Sequence, residues 1–167
     1  MNNQQTIINT LAESFKTVYA RFNGLPVAGI VDKINRGDCG VAAIAIGPIL
    51  HQQHGMDVRY MHNTGHVWFV VDGVRYDTAR PQGYSANEAI ILGNDPVAEV
   101  SLAQLCDDCM PCDTHGAYLI KAFCDSHGVA YPTEIQHCFD SELEYESEEG
   151  VADLKQRYAR AVTEVVV

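Results

Sequence analysis

Cys39, His66 and Asp77 carry the side chains best suited to chemistry in this chain of 167 residues. A thiolate is a strong nucleophile. An imidazole can take and return its proton, and a carboxylate can hold that imidazole in the tautomer that does so. Each type also has an inert alternative. A free cysteine is commonly a small buried apolar residue, and a His–Asp pair on a sheet is commonly solvated. Position decides between these readings, and the flanking sequence predicts position.

Asp72-Gly73 separates two β-rich runs, His-Val-Trp-Phe-Val-Val and Val-Arg-Tyr-Asp-Thr. A two-residue hairpin turn needs positive φ, which Asp-Gly adopts at low cost. With these two residues as the loop, Val71 opposes Val74, Val70 opposes Arg75, Phe69 opposes Tyr76, Trp68 opposes Asp77 and His66 opposes Ala79. Alternation then collects Val67, Phe69, Val71, Val74, Tyr76 and Thr78 on one apolar face. His66, Trp68, Val70, Arg75, Asp77 and Ala79 share the other. His66 and Asp77 become diagonal neighbours, ~7–8 Å apart at the backbone and within side-chain reach. A one-residue slip would put them on opposite faces.

Cys39 stands 27 residues before His66, ahead of the small apolar run Val-Ala-Ala-Ile-Ala-Ile. The run predicts a buried helix starting at Asp38 or Cys39, with Asp38 as N-cap. A thiol there would feel the positive end of the helix dipole, which favours the thiolate. Gly37 and Gly40 flank it, and glycine costs helix stability. They point to the turn itself or to close approach of a substrate to the backbone.

These segments together resemble a known family. Gly-Asp-Cys39-Gly, an Ala/Ile-rich helix, His54-Gly-Met-Asp-Val-Arg-Tyr60, Gly-His66-Val-Trp-Phe-Val-Val and Arg-Tyr-Asp77-Thr are similar to the transglutaminase-like branch of the papain-like cysteine enzymes. The resemblance covers residues 36–81, and the order Cys, His, Asp is the family order. The Cys-to-His spacing is short for the family, as expected of a minimal core with trimmed loops. Asp77 is followed by Thr-Ala-Arg-Pro instead of directly by Pro. The resemblance implies Cys39 as nucleophile, His66 as general base and acid, and Asp77 as the residue that orients it. The activity implied is cysteine-dependent hydrolysis or acyl transfer at an amide, peptide or isopeptide bond, through a thioester. Oxyanion donors would be the Cys39 N–H with Asn35 or Trp68. No cofactor is implied, and the partner is a peptide or protein substrate.

A second cluster, Cys106-Asp-Asp-Cys109-Met-Pro-Cys112-Asp-Thr-His115, has ligand-like spacing. Thiolates and imidazole are natural zinc ligands, but structural sites usually combine two separated knuckles. The cluster reads either as a zinc site of Cys106, Cys109, Cys112 and His115, or as buried or redox-capable thiols with Cys106 and Cys109 inward on one helix. A zinc-binding regulator, or a non-catalytic scaffold that reuses the fold, is therefore the rival to the enzyme. Cys124 falls on an apolar helical stripe and reads as core. His51 and His54 read as solvated near a helix end, and His62, His127 and His137 suggest no partner.

The elements that must position these residues follow from periodicity. A helix is expected over 6–22, where Ile7, Leu11, Phe15, Val18 and Phe22 form one stripe. An extended stretch is expected at 27–31. The Cys39 helix should be kinked or divided at Pro48 and stopped by Gly55. A strand follows at 56–61, then the hairpin over 66–78, and a short helix or loop at 85–94. Helices are expected at 101–109, 114–127 and 151–167, with the six acids of 140–149 forming a solvated turn or mobile loop. The reading is one α+β domain over 1–167: a catalytic core at about 27–81, with the Cys-bearing helix packed on a small antiparallel sheet, and a helical remainder at 85–167.

Acids outnumber bases 22 to 11, for a formal net charge of −11. Such a chain lacks the basic surface that non-specific nucleic-acid binding or a polybasic membrane anchor requires. The longest near-apolar run, 41–50, falls well short of the ~20 residues of a spanning helix. The opening Met-Asn-Asn-Gln-Gln-Thr has no basic signal-type region, so the six cysteines read as thiols and a cytoplasmic location is the expectation.

Overall fold

The apolar stripe of the first twenty residues forms α1 (Asn3–Asn23), which buries Ile8, Leu11, Phe15, Val18 and Phe22. The computed structural model describes residues 3–85, 88, 96–110 and 113–163. The stretch at 27–31 is not extended. A left-handed Gly29 instead starts a short helix, α2 (Ile30–Lys33), which runs into a π-helical turn (Ile34–Asp38) and then α3 (Cys39–His54).

Helix α3 is the centre of the molecule. Every residue from Gly40 to Leu50 is buried. The helix is not divided at Pro48, one of the two outcomes expected there. Ile44, Ile46, Ile49 and Leu50 are fully buried on several faces, and this packing offsets the ~3 kcal/mol that a proline costs inside a helix. Gly55 does end it, in the left-handed conformation, with the Gly55 and Met56 amides donating back to His51 and Leu50.

Four strands form one antiparallel sheet in the order β3-β2-β1-β4: β1 (Val58–His62), β2 (Val67–Val71), β3 (Val74–Tyr76) and β4 (Ala98–Val100). The β2–β3 register is the expected one: Phe69 opposes Tyr76, Val70 opposes Arg75 and Val71 opposes Val74. Both turn residues have positive φ, 49° at Asp72 and 77° at Gly73. The fourth strand was not expected. The sheet packs on α3, and Gly47 lets the two approach. A Cβ at Gly47 would lie 2.1 Å from the Tyr60 hydroxyl and 2.7–2.8 Å from its ring. Gly47→Ala is therefore expected to cost about 1–3 kcal/mol by overpacking. Adding Tyr60→Phe removes the nearest atom and should return part of that loss. Urea unfolding of the two variants checks both statements.

The remaining helices cover the other side of α3. Ser101 caps α4 (Leu102–Cys109) in a reciprocal capping box with Gln104, and Asp113 caps α5 (Thr114–Ser126). Helix α5 packs against α1, α3 and α8 (Glu148–Val162). The acidic stretch is not a loop. Asp140 ends the short helix α6 (Gln136–Asp140), and the rest of the stretch forms α7 (Glu142–Tyr145) and the first turn of α8. Ser147 caps α8, and Glu148 and Glu149 sit where the helix dipole favours acids. The expected element at 85–94 falls almost wholly outside the described residues, as do 164–167 of the closing helix. The fold is α+β. Among the described residues no helix is long and apolar enough to cross a membrane.

Candidate active site

The tight hairpin sets the register, and the register sets the first contact. His66 precedes β2 and Asp77 follows β3, on the same face of the sheet, and His66 Nε2 meets Asp77 Oδ2 at 2.8 Å. Neither is solvated: His66 is 5% exposed and Asp77 6%. Tyr84 covers this pair: its backbone N–H donates to Arg75 O and its hydroxyl donates to Asp77 Oδ2 at 2.6 Å. Arg75 lies over the Tyr84 ring.

Local chain chemistry holds both residues. Asn63 Oδ1 accepts from the Gly65 and His66 amides, fixing the turn between β1 and β2. Asp77 Oδ1 accepts from the Ala79 and Arg80 amides at 2.8 Å each, an Asx-type turn that accounts for the Thr-Ala-Arg-Pro continuation. The Asp77 carboxylate thus has four donors. Burial opposes its charge, but His66, Tyr84 and the Arg80 amide outweigh burial and hold it below the ordinary carboxylate range.

Cys39 reaches this pair from α3 and is partly exposed. It is the first α-helical residue, as expected, but not the start of a free helix end, because the π-helical turn precedes it. Asp38 does not cap. Its carboxylate instead accepts from the Tyr19 hydroxyl of α1. The helix-dipole argument for the thiolate therefore gives way to a local one. Burial opposes the thiolate, but His66 and the Val67 and Gly40 amides outweigh it, and the thiol is held below its ordinary value. Burial likewise opposes the His66 imidazolium. Asp77 first and Cys39 second raise it to about 9. With Nε2–H committed to Asp77, Nδ1 is the nitrogen left for the thiol. It is buried without a well-aligned hydrogen-bond partner, a looseness common before substrate binds.

The two residues suggested as oxyanion donors lie alongside. Trp68 stacks on the His66 ring, with centroids 6.1 Å apart. Asn35 Oδ1 accepts from the Thr78 hydroxyl, so its amide N–H₂ is the end not engaged by Thr78. Asn35, Cys39, Trp68, Asp77 and Thr78 line one small cavity. Two larger clefts, of about 330 and 350 Å³, open on either side of His66.

The second cysteine cluster does not assemble as a metal centre among the described residues. Cys106 is buried in the core with its thiol pushed up to about 12. His115 Nε2 donates to Asn23 Oδ1, and the ring packs edge-on against Phe22. Cys112 lies outside the described residues. Cys109 takes a place that sequence reasoning missed: it lines the same cleft as Cys39. A Cβ at Gly40 would lie 2.7 Å from its sulfur, so Gly40 admits Cys109 and not a substrate backbone. Burial, and then the charge on Cys39, push the Cys109 thiol up to about 11. Cys124 is core, as expected. His127 and His137 do have partners, Ser14 and the Glu134 carbonyl. No protein-family model, curated protein or solved structure matches the chain.

Proposed function

We propose that the protein is a cysteine-dependent hydrolase or acyltransferase acting on an amide, peptide or isopeptide bond, with a papain-like core of the transglutaminase-like kind. The observation that carries this reading is the chain Asp77–His66–Cys39, in which the carboxylate and imidazole are buried and the partly exposed thiol lines a cleft. The Cys39 thiolate attacks the carbonyl carbon and forms a C–S bond. The oxyanion meets Asn35 and backbone amides. The His66 imidazolium gives its Nδ1 proton to the leaving amine as the C–N bond breaks, leaving a thioester on Cys39. His66 then takes a proton from water, or from an acceptor amine, which attacks the thioester. The carboxylic acid or new amide leaves and the thiol is regenerated. Asp77 stabilises each imidazolium without becoming protonated.

Alkylation by iodoacetamide tests the reading, with Cys109 as internal reference because it lies in the same cleft. The Cys39 thiol is held below 9.0 and the Cys109 thiol is pushed up to about 11, so thiolate population favours Cys39, and its lower basicity returns about half of that advantage in logarithmic terms. The expected ratio at neutral pH is about tenfold or more in favour of Cys39. His66→Ala should remove the preference. Equal rates at the two cysteines in the native protein would sink the reading and favour a scaffold with an ordinary thiol.

A further inference from the structure

The two clefts flanking His66 share a second residue, Arg36. One is lined by Gly37, Cys39, Gly65, Asp108 and Cys109, the other by Asp32, Asn35, Asp77, Ala79 and Tyr84. Arg36 and His66 thus border both clefts, and Cys39 lines the first of them. Arg36 sits on the π-helical turn, three residues before Cys39, and is exposed.

Its state sets it apart from the other arginines. Arg59, Arg80 and Arg157 pair with carboxylates, and Arg75 and Arg160 donate to backbone carbonyls. Arg21 is also engaged. Arg36 makes no hydrogen bond or ion pair among the described residues. Two acids stand at the cleft edges, Asp32 four residues earlier on the same helical stretch and Asp108 on α4, and neither closes an ion pair with it. An exposed pair at that spacing would be weak in any case. The chain as a whole carries −11, so its general field repels anions, and a guanidinium left free beside the nucleophile is a local exception to that field. Its planar fork suits a carboxylate.

We propose that Arg36 sets the specificity of this cleft by pairing with a carboxylate that the substrate carries close to the scissile carbonyl, so that the substrate class is an acidic peptide or amide. The proposal rests on the cysteine-enzyme reading above, and a pair of alkylating agents separates the two. Iodoacetate carries the carboxylate and iodoacetamide is its neutral counterpart. The adduct on Cys39 is counted by mass spectrometry on the tryptic peptide 37–59, in which Cys39 is the only cysteine. In Arg36→Gln the same peptide is longer by the residues back to the next cleavage site.

The iodoacetate-to-iodoacetamide rate ratio should fall at least ~3-fold in Arg36→Gln, the order expected for one charge at ~7 Å in a largely aqueous surrounding. Arg36→Lys should keep most of the ratio. The ratio also cancels any change in the thiolate population common to both agents. An unchanged ratio in Arg36→Gln overturns the proposal. A slow iodoacetamide reaction in the unmodified protein, no faster than at Cys109, would instead remove the catalytic reading, while the ratio still decides on Arg36.

Discussion

Asp77→Ala is expected to lower the free energy of unfolding by about 3–5 kcal/mol, the range for removing one partner from a buried charged network. The carboxylate accepts from His66, Tyr84, Ala79 and Arg80, so four donors lose their acceptor together, and three of them have no other acceptor among the described residues. The loss reaches the thiol as well. Without Asp77 the strongest of the groups that oppose the burial of His66 is gone, and the ring falls back from about 9. Cys39 then loses the cation that holds its thiolate, and its preference over Cys109 in alkylation should disappear. Asp77→Asn separates the two roles. An amide oxygen can still accept from the Ala79 and Arg80 amides, so most of the stability should return, but the negative charge does not, and reactivity should stay low. Urea unfolding reads the first effect and iodoacetamide labelling the second. An Asp77→Ala protein within about 0.5 kcal/mol of the parent would mean that the carboxylate is not the hub of the network.

The part of this site that could be read in the sequence is the part fixed by local backbone chemistry. Asp72-Gly73 determines a turn, the turn determines a register, and the register puts His66 beside Asp77. Each step involves residues near one another in the chain, where a few dihedral preferences dominate. Gly55 as a helix stop was legible for the same reason. The α+β class followed from the order of such elements.

What was not legible depends on residues distant in the chain. Asp38 has the type and place of an N-cap, yet Tyr19 takes its carboxylate across the α1–α3 contact. The helix then continues through a π-turn that no capping signal announces. Pro48 would break an exposed helix, but burial on several faces holds α3 intact. Tyr84 supplies the second side-chain donor to Asp77 from beyond the hairpin, and its only sequence signal is an aromatic residue after Gly83. The strand β4 is three residues long and gains its identity from β1, about forty positions away. Gly40 was noticed as a place of close approach, but the approaching group was misidentified: Cys109 fills it. These are pairings that only tertiary packing creates.

Replacing Cys39 with alanine should change how stability depends on pH, and the direction tests whether the pair is ionised. The His66 ring ordinarily titrates at 6.5 and in the folded protein at about 9. Its stabilising contribution is complete below 6.5, where both states carry the proton, and is lost as pH rises from there through about 9. The full loss from this ring is at most ~3.5 kcal/mol, since one pH unit corresponds to ~1.4 kcal/mol. The thiol has the opposite sign. Its folded value is lowered from 9.0, so its contribution is present above 9 and is lost as pH falls through the folded value. Where the two intervals overlap, the folded pair carries one proton, on His66, and the unfolded pair carries one proton, on Cys39. The net linkage there is near zero, so the parent protein should lose less stability with rising pH than a protein without the thiol. In Cys39→Ala only the histidine limb remains, still raised by Asp77, and stability should fall by up to ~1.4 kcal/mol per pH unit above 6.5. Groups common to both proteins cancel in the difference between the two curves, measured by urea unfolding from pH 6.5 to 9. If the parent falls as steeply as Cys39→Ala, the folded thiol has kept its proton, and His66 would have to remove it during each attack instead of holding a thiolate in advance.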